Sequence, residues 1–375
     1  MNFCFVYSSG GGAGDWNAID RIWNDSMPNY FRDHLLLKFG DIYFNHRSSN
    51  NLIKPTYWAN TNNARDWIIG KTNDHTLLNT SNLIMDVGTS KIVSYITNHN
   101  QDYSGAEIIQ EFDRLMTEHQ ILDKYCDVII NSNITNAVTF DIPNLFKVRT
   151  QNGNVARNLF HEEGCRDLLI DACVRYANYT YQNTGRNSDS LLTIICAHWS
   201  DKDILDYLDK LDYTPTKLSV GGLTDYARGE FSQMLNRLND LLDFQSYNKV
   251  HFLGSGGLAK ASMIIKELGN HNTFSVDNTT AYNRAIDGNT RGTSMSGYYD
   301  YVSKSLIRVN PENRQRILDI HGSVPDNRAL FSVAEMTKII DSILEHQSQN
   351  SSHDTYDNRA KLVIHNFDVY KYNTE

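Results

Sequence analysis

Three short motifs between Leu218 and Arg284 hold the residues best suited to chemistry: SVGGL at 219–223, HFLGSGG at 251–257 and FSVDNTTAYNR at 274–284. Each starts with a β-branched or aromatic run, reaches glycine or aspartate where a strand would end, and runs on into a helix-like segment. Asp277 is a lone acid directly after an apolar strand, where a carboxylate could face a pocket as a nucleophile. Asp86, in IMDVG at 84–88, stands at a second strand end. Two carboxylates in unlike surroundings can divide nucleophilic and proton-transfer work between them. Taken singly, each has a plainer reading: an Asp after a strand often caps the next helix, and a glycine pair often makes a turn.

The elements that must position these residues alternate along the chain. Strand-like runs lie at Phe3–Ser8, His34–Phe39, Asn82–Asp86, Cys126–Asn131, Ala137–Asp141, Leu191–Cys196, Lys217–Val220, Lys249–Leu253 and Thr273–Asp277. Helical spacing appears at Ala106–His119, Glu163–Tyr181, Asp203–Leu211, Arg228–Leu242 and Leu258–Leu268. Such alternation implies a parallel sheet, and about eight units close into a TIM (β/α)8 barrel that carries chemistry on one rim. A doubly wound open sheet is the alternative. Two polar stretches interrupt the pattern: Asn45–Asn63 is expected to be a loop or insertion, and Gln347–Asn358 a mobile loop. No internal repeat is present. The expected organisation is an N-terminal segment, 1–75, packed on a barrel with insertions and a C-terminal helical segment, 76–375.

Composition bounds the function. With 375 residues, 40% of them apolar, the chain can fill one large core. Lys and Arg total 35 against 44 for Asp and Glu, a net charge of −9, so any nucleic-acid binding must use a local basic patch. The cysteines at 4, 126, 165, 173 and 196 form no CxxC pair, which points to a reducing compartment and buried thiols. The start, MNFCFVYSS, lacks a basic n-region, and no run approaches ~18 apolar residues, so a cytoplasmic protein without a membrane span is expected. The glycines at 10, 11, 12 and 14 fit neither GxxxxGK[ST] nor GxGxxG, and read as a turn. Thirteen histidines include no HxxxH or HExxH, so no metal is expected from them.

Seven motifs in order, IMDVG at 84–88, FDIP at 140–143, IICAH at 194–198, VGGL at 220–223, HFLGSGG, FSVDNTTAYNR and IHN at 364–366, resemble those of the tRNA-guanine transglycosylases. The resemblance runs from about residue 80 to the end and leaves 1–75 unmatched. It implies a (β/α)8 barrel that exchanges guanine in nucleic acid for a 7-deazaguanine, with no cofactor. Asp277 matches the family's nucleophile, and Asp86 its acid/base or positioning aspartate. Asp141 resembles the carboxylate that reads the pyrimidine edge of the base. Gly221 and Gly222 match the pair whose backbone lies against the ring, Gly254 falls where a side chain stacks over it, and Thr89, Ser90 and His198 surround the 7-position.

Those roles make chemical sense. Breaking an N-glycosidic bond passes through an oxocarbenium-like state that a nearby carboxylate can capture, and two displacements give net retention. Guanine offers an N1–H and an amine on one edge, which a buried carboxylate can accept together.

The departures point to another polymer. The tRNA enzymes bind structural zinc through CxCxxC and a distant histidine; here His365 keeps the histidine, but no cysteine follows Cys196, so the cysteine zinc site is lacking and His365 is left to pack or hydrogen-bond. The nucleophile loop reads DNTTAYNR, without the tRNA enzymes' proline and arginine, and VGTSK follows Asp86 where they have a glycine pair and an aromatic. The chain therefore resembles most the phage-type DNA 7-deazaguanine transglycosylases, a viral origin with which its asparagine-rich, proline-poor composition is compatible. The implied partners are DNA, with a flipped or single-stranded guanine, and the free base, for example 7-cyano-7-deazaguanine. Arg284, Arg291 and Lys260 are the candidate phosphate contacts. A tRNA enzyme, and a non-catalytic nucleic-acid-binding subunit, stand as alternatives.

Overall fold

The computed structural model describes residues 1–7, 28–45, 50–53, 83–132, 134–150, 153–278, 280–281, 285, 296–325, 327–347 and 353–374. The first strands are β1 (Asn2–Tyr7), β2 (Leu35–Lys38), β3 (Ile84–Asp86) and β4 (Ala137–Val138). An inserted antiparallel hairpin, β5 (Leu145–Thr150) and β6 (Gly153–Asn158), precedes β7 (Leu191–Cys196), β8 (Lys217–Gly221), β9 (Lys249–Phe252) and β10 (Phe274–Asp277). The eight strands other than the hairpin pair in parallel and close into a barrel in the order β1-β10-β9-β8-β7-β4-β3-β2. This is the TIM barrel, closed by β1 against β10 rather than left as an open sheet.

Period-two alternation sorts the strand residues into two cores. Phe3, Phe5, Leu35, Leu37 and Met85 belong to the large apolar layer shared with the helices. Cys4, Val6, Leu36, Ile84, Val138, Leu192 and Ile194 form a separate cluster that plugs the barrel, with Leu253 packed on it. On the same inward face, Ser219, His251 and Ser275 are fully buried and in register across β8, β9 and β10.

The helices are α1 (Asn29–Asp33), α2 (Phe39–Tyr43), α3 (Ser90–His99), α4 (Gly105–Glu118), α5 (Ile121–Asn131), α6 (Cys165–Asn183), α7 (Asp201–Asp209), α8 (Arg228–Leu242) and α9 (Leu258–Leu268). Capping boxes start α4, through Ser104 and Glu107, and α7, through Ser200 and Asp203. After β10 come a second hairpin, β11 (Gly297–Tyr299) with β12 (Leu306–Arg308), then α10 (Arg314–Gly322), α11 (Val333–Gln347) and α12 (His353–Tyr372). Phe367 of α12 packs its ring against Phe3, Phe5 and Phe31, so the end of the chain covers the seam where the first strand joins the last.

Three expectations are corrected. Cys126–Asn131 is not a strand but the second half of α5: Ile121, Tyr125, Val128 and Ile129 recur at helical spacing and are buried, overriding the β propensity of the Val-Ile-Ile run. Tyr125 then anchors the helix by donating its hydroxyl to the Val138 carbonyl at 2.6 Å. The boundary at residue 75 falls inside the barrel, because β1 and β2 are barrel strands and not a segment packed outside it. The loop expected at Gln347–Asn358 gives way to α12 at His353. All five cysteines are buried free thiols. Among the described residues, no helix is long and apolar enough to cross a membrane.

Candidate active site

A cavity of about 900 Å³ opens at the C-terminal ends of the strands, with Lys38, Asp86, Gly221, Gly222, Gly254 and Asp277 among its lining residues. That is the rim where barrels of this kind place their chemistry. The floor is polar because β2 and β3 each put a charged side chain one inward position beyond the apolar plug, Lys38 after Leu36 and Asp86 after Ile84, and β10 puts Asp277 beyond the buried Ser275. Lys38 and Asp86 are direct register partners.

Asp277 is 4% exposed and held on two sides. The Gly254 N–H donates to its Oδ1 at 2.6 Å, and His251 Nε2 lies 3.2 Å from the same oxygen. The histidine approach falls short of good hydrogen-bond alignment, yet this direct contact is the largest of the influences that lower the Asp277 carboxyl. His251 Nδ1 meets Ser275 Oγ at 2.9 Å, which fixes the ring. The backbone of Asp277 is clamped as well: the Gly256 N–H donates to its carbonyl at 2.8 Å, and a Cβ on Gly256 would stand 2.9 Å from that oxygen. Only glycine lets the chain come so near.

The three carboxyls titrate apart. Burial pushes Asp277 up, but His251, Lys38 and the Gly254 N–H outweigh it and hold it below its ordinary value. Burial raises Asp86; Lys38 pulls the other way, and the Asp277 charge adds to the rise. Burial drives Asp141 up to about 6, against the hydroxyl of Thr89, which donates to its Oδ1 at 3.0 Å. By surface area Asp86 and Asp141 are only half-buried, so water reaches their edges and tempers the cost of charging them. The two carboxyls that line the cavity are thus pushed apart, Asp277 below and Asp86 above the ordinary carboxylate value.

No family model matches this chain, and no curated protein does.

Of the residues singled out in the sequence, Asp86, Ser90, Asp277, Gly221, Gly222, Gly254 and Lys260 line this cavity. Asp141 and His198 stand outside that lining. Asp141 is tied to it through the charge of Asp86 and the Thr89 bond. His198 stacks on Tyr226 at 4.9 Å, with Nε2 3.0 Å from Asp225 Oδ2 and Nδ1 3.1 Å from the Tyr226 hydroxyl. Its ring braces Gly222, whose φ of +79° no other residue takes readily and whose added Cβ would meet His198 Cδ2 at 2.9 Å. Gly221 differs: a Cβ there would meet nothing nearer than 3.5 Å, so the protein itself does not require glycine at that point of the cavity floor. Lys260 donates to the carbonyls of Leu223 at 3.3 Å and Thr224 at 2.7 Å, which commits its ammonium to the loop after β8. Arg284 and Arg291 lie outside the described residues.

His365 is fully buried, its Nε2 2.9 Å from the Tyr299 carbonyl and its ring stacked on Tyr298 at 4.5 Å. Burial pushes it down to about 3, and with Asn366, which accepts from the Tyr299 N–H at 3.0 Å, it ties the β11–β12 hairpin to α12. Among the described residues no group of three or more His, Cys, Asp or Glu is placed to hold a metal.

Lys38, His251 and Gly256 were missed in the sequence. Two of them had a faint signal: Lys38 interrupts the apolar LLLKF, and His251 is a polar residue between Val250 and Phe252. Neither signal says which acid lies opposite.

Proposed function

We propose that this chain is a base-exchanging guanine transglycosylase that replaces guanine in DNA with a 7-deazaguanine through a covalent aspartyl-glycosyl intermediate. The observation that carries the reading is the pair Asp86 and Asp277, on one cavity floor, with carboxyls pushed in opposite directions. That is the division a double displacement needs.

In the first half, the ionised Asp277 attacks the anomeric carbon. The C1′–N9 bond breaks, and guanine leaves with the electron pair, taking a proton that Asp86 supplies. In the second half, the incoming base gives its N9 proton to Asp86, N9 bonds to C1′, and the Asp277 carboxylate departs unchanged. The Gly254 N–H and His251 keep the nucleophile ionised and aimed; Lys38 balances charge between the two acids. Asp141, ionised above a pKa of about 6, can accept both guanine edge donors. The open backbone at Gly221, which nothing inside the protein demands, supports a flat ring resting there.

The polymer assignment to DNA rests on the rewritten DNTTAYNR loop and the missing zinc cysteines. Incubating the protein with a labelled 7-deazaguanine and separate DNA and tRNA substrates tests it. Label should enter DNA and vanish with Asp277→Ala, and a denaturation-resistant protein–DNA adduct should form only with Asp277 present. Label in tRNA alone would overturn the polymer; no label and no adduct with either would overturn the reaction.

A further inference from the structure

The cavity floor carries acids in a chain of net charge −9, so a polyanion needs cations at the mouth to come near it. Among the described residues four cations line the cavity: Lys38, Arg228, Lys260 and Lys304. Lys38 is spent on the Asp86 and Asp277 charges, and Lys260 on two carbonyls. Arg228 and Lys304 are exposed, and neither side chain makes a hydrogen bond or ion pair among the described residues.

Lys304 has a second peculiarity. Its φ is +57°, in the left-handed region that disfavours any residue with a Cβ. The turn holding it there is over-determined. Buried Asp300 accepts from the Val302 N–H at 2.9 Å and the Ser303 N–H at 3.1 Å, and its own carbonyl accepts from the Lys304 N–H at 3.0 Å. The hairpin carrying the turn is pinned to α12 through Asn366 and His365. A glycine would sit in this turn without strain, yet the position holds a lysine, and that lysine is among the residues that line the cavity. Arg228 is the first residue of α8, just after the turn that follows Gly221 and Gly222, and so is carried on the framework of the cavity floor.

We propose that Arg228 and Lys304 form a phosphate clamp at the cavity mouth, holding the sugar–phosphate backbone on either side of the nucleotide whose base enters. The clamp rests on the transglycosylase reading for its substrate class, but its evidence is separate from the carboxylates. It also moves the backbone contacts from the expected Lys260 to two cations whose side chains are uncommitted among the described residues.

The test uses the full chain and a fluorescent single-stranded oligodeoxynucleotide with one guanine, followed by anisotropy across a salt series. Lys304→Gly removes the ammonium while suiting the positive φ, so its denaturation midpoint should not fall; Arg228→Gln removes the second charge. Each variant should bind about eightfold more weakly at ~50 mM salt, with the slope of log K against log salt shallower by about 0.7. The double variant should lose both increments. Wild-type affinity and slope in both variants would overturn the clamp, and if wild-type protein still exchanges bases, the transglycosylase reading survives that result. Variant-sensitive binding without exchange on any polymer would leave the clamp standing and sink the reaction. An oligoribonucleotide bound with the same variant response, and preferred over DNA, would support the clamp and move the polymer to RNA. No binding by the wild-type chain to either oligonucleotide would overturn the clamp.

Discussion

Asp141→Asn should make this protein more stable at neutral pH while impairing base exchange. Burial raises the Asp141 carboxyl from 3.8 to about 6, so ionising it in the folded state costs about 3 kcal/mol at ~1.4 kcal/mol per pH unit. The residue is half-buried, and solvent screening reduces this to about 1–2 kcal/mol. Asparagine keeps an acceptor for the Thr89 hydroxyl, which now donates at 3.0 Å, so the change removes charge without orphaning its partner. The sign follows from proton counts. Between about 4 and 6 the folded wild type binds more protons at this site than the unfolded chain, so its stability falls as pH rises through that window. The cost is complete above pH ~6 and absent below ~4. Urea denaturation should show the variant midpoint higher by up to roughly 0.6 M at pH 7, for a slope near 3 kcal/mol/M, with the gap closing by pH 4. No gain at pH 7, or an equal gain at both pH values, would refute the buried-charge argument. In exchange assays the same variant should raise the KM for the free base about tenfold, because a charge-assisted pair of edge contacts is lost.

His251→Gln should lower kcat about 100-fold with little change in KM, since it removes a group that aims and ionises Asp277 rather than one that binds substrate. Without it Asp277 titrates at higher pH, so the acid limb of the rate profile should move upward; an unmoved limb would make the histidine merely structural. The two glycines of VGGL should part company. Gly222→Ala should cost the fold about 1–2 kcal/mol or more, from the +79° φ and the 2.9 Å approach to His198, seen as a lower denaturation midpoint. Gly221→Ala should leave that midpoint within ~0.5 kcal/mol and instead weaken binding of the free base, measured by calorimetry. Equal stability losses would remove the argument that Gly221 is kept open for a ligand.

The sequence by itself determined the alternation of strands and helices and the placing of Asp86 and Asp277 at strand ends, because hydrophobic period and strand-terminating glycines are local properties of the chain. Arg228–Leu242 and Leu258–Leu268 are helices over the span their spacing predicts. Local signals failed where tertiary packing reversed them. The Val-Ile-Ile of α5 has strand propensity but buries along a helix, and the strand expected at Ala137–Asp141 is paired only over Ala137–Val138. Barrel closure alone decided the neighbours: Lys38 beside Asp86, His251 between Ser275 and Asp277, and β1 against β10. Those pairings join residues as much as 273 positions apart, and no local pattern encodes which inward positions share a layer. The opposed shifts of the carboxyls depend on burial and on charges arriving from other strands, so the sequence could name the acids while only the closed barrel assigned them unlike surroundings.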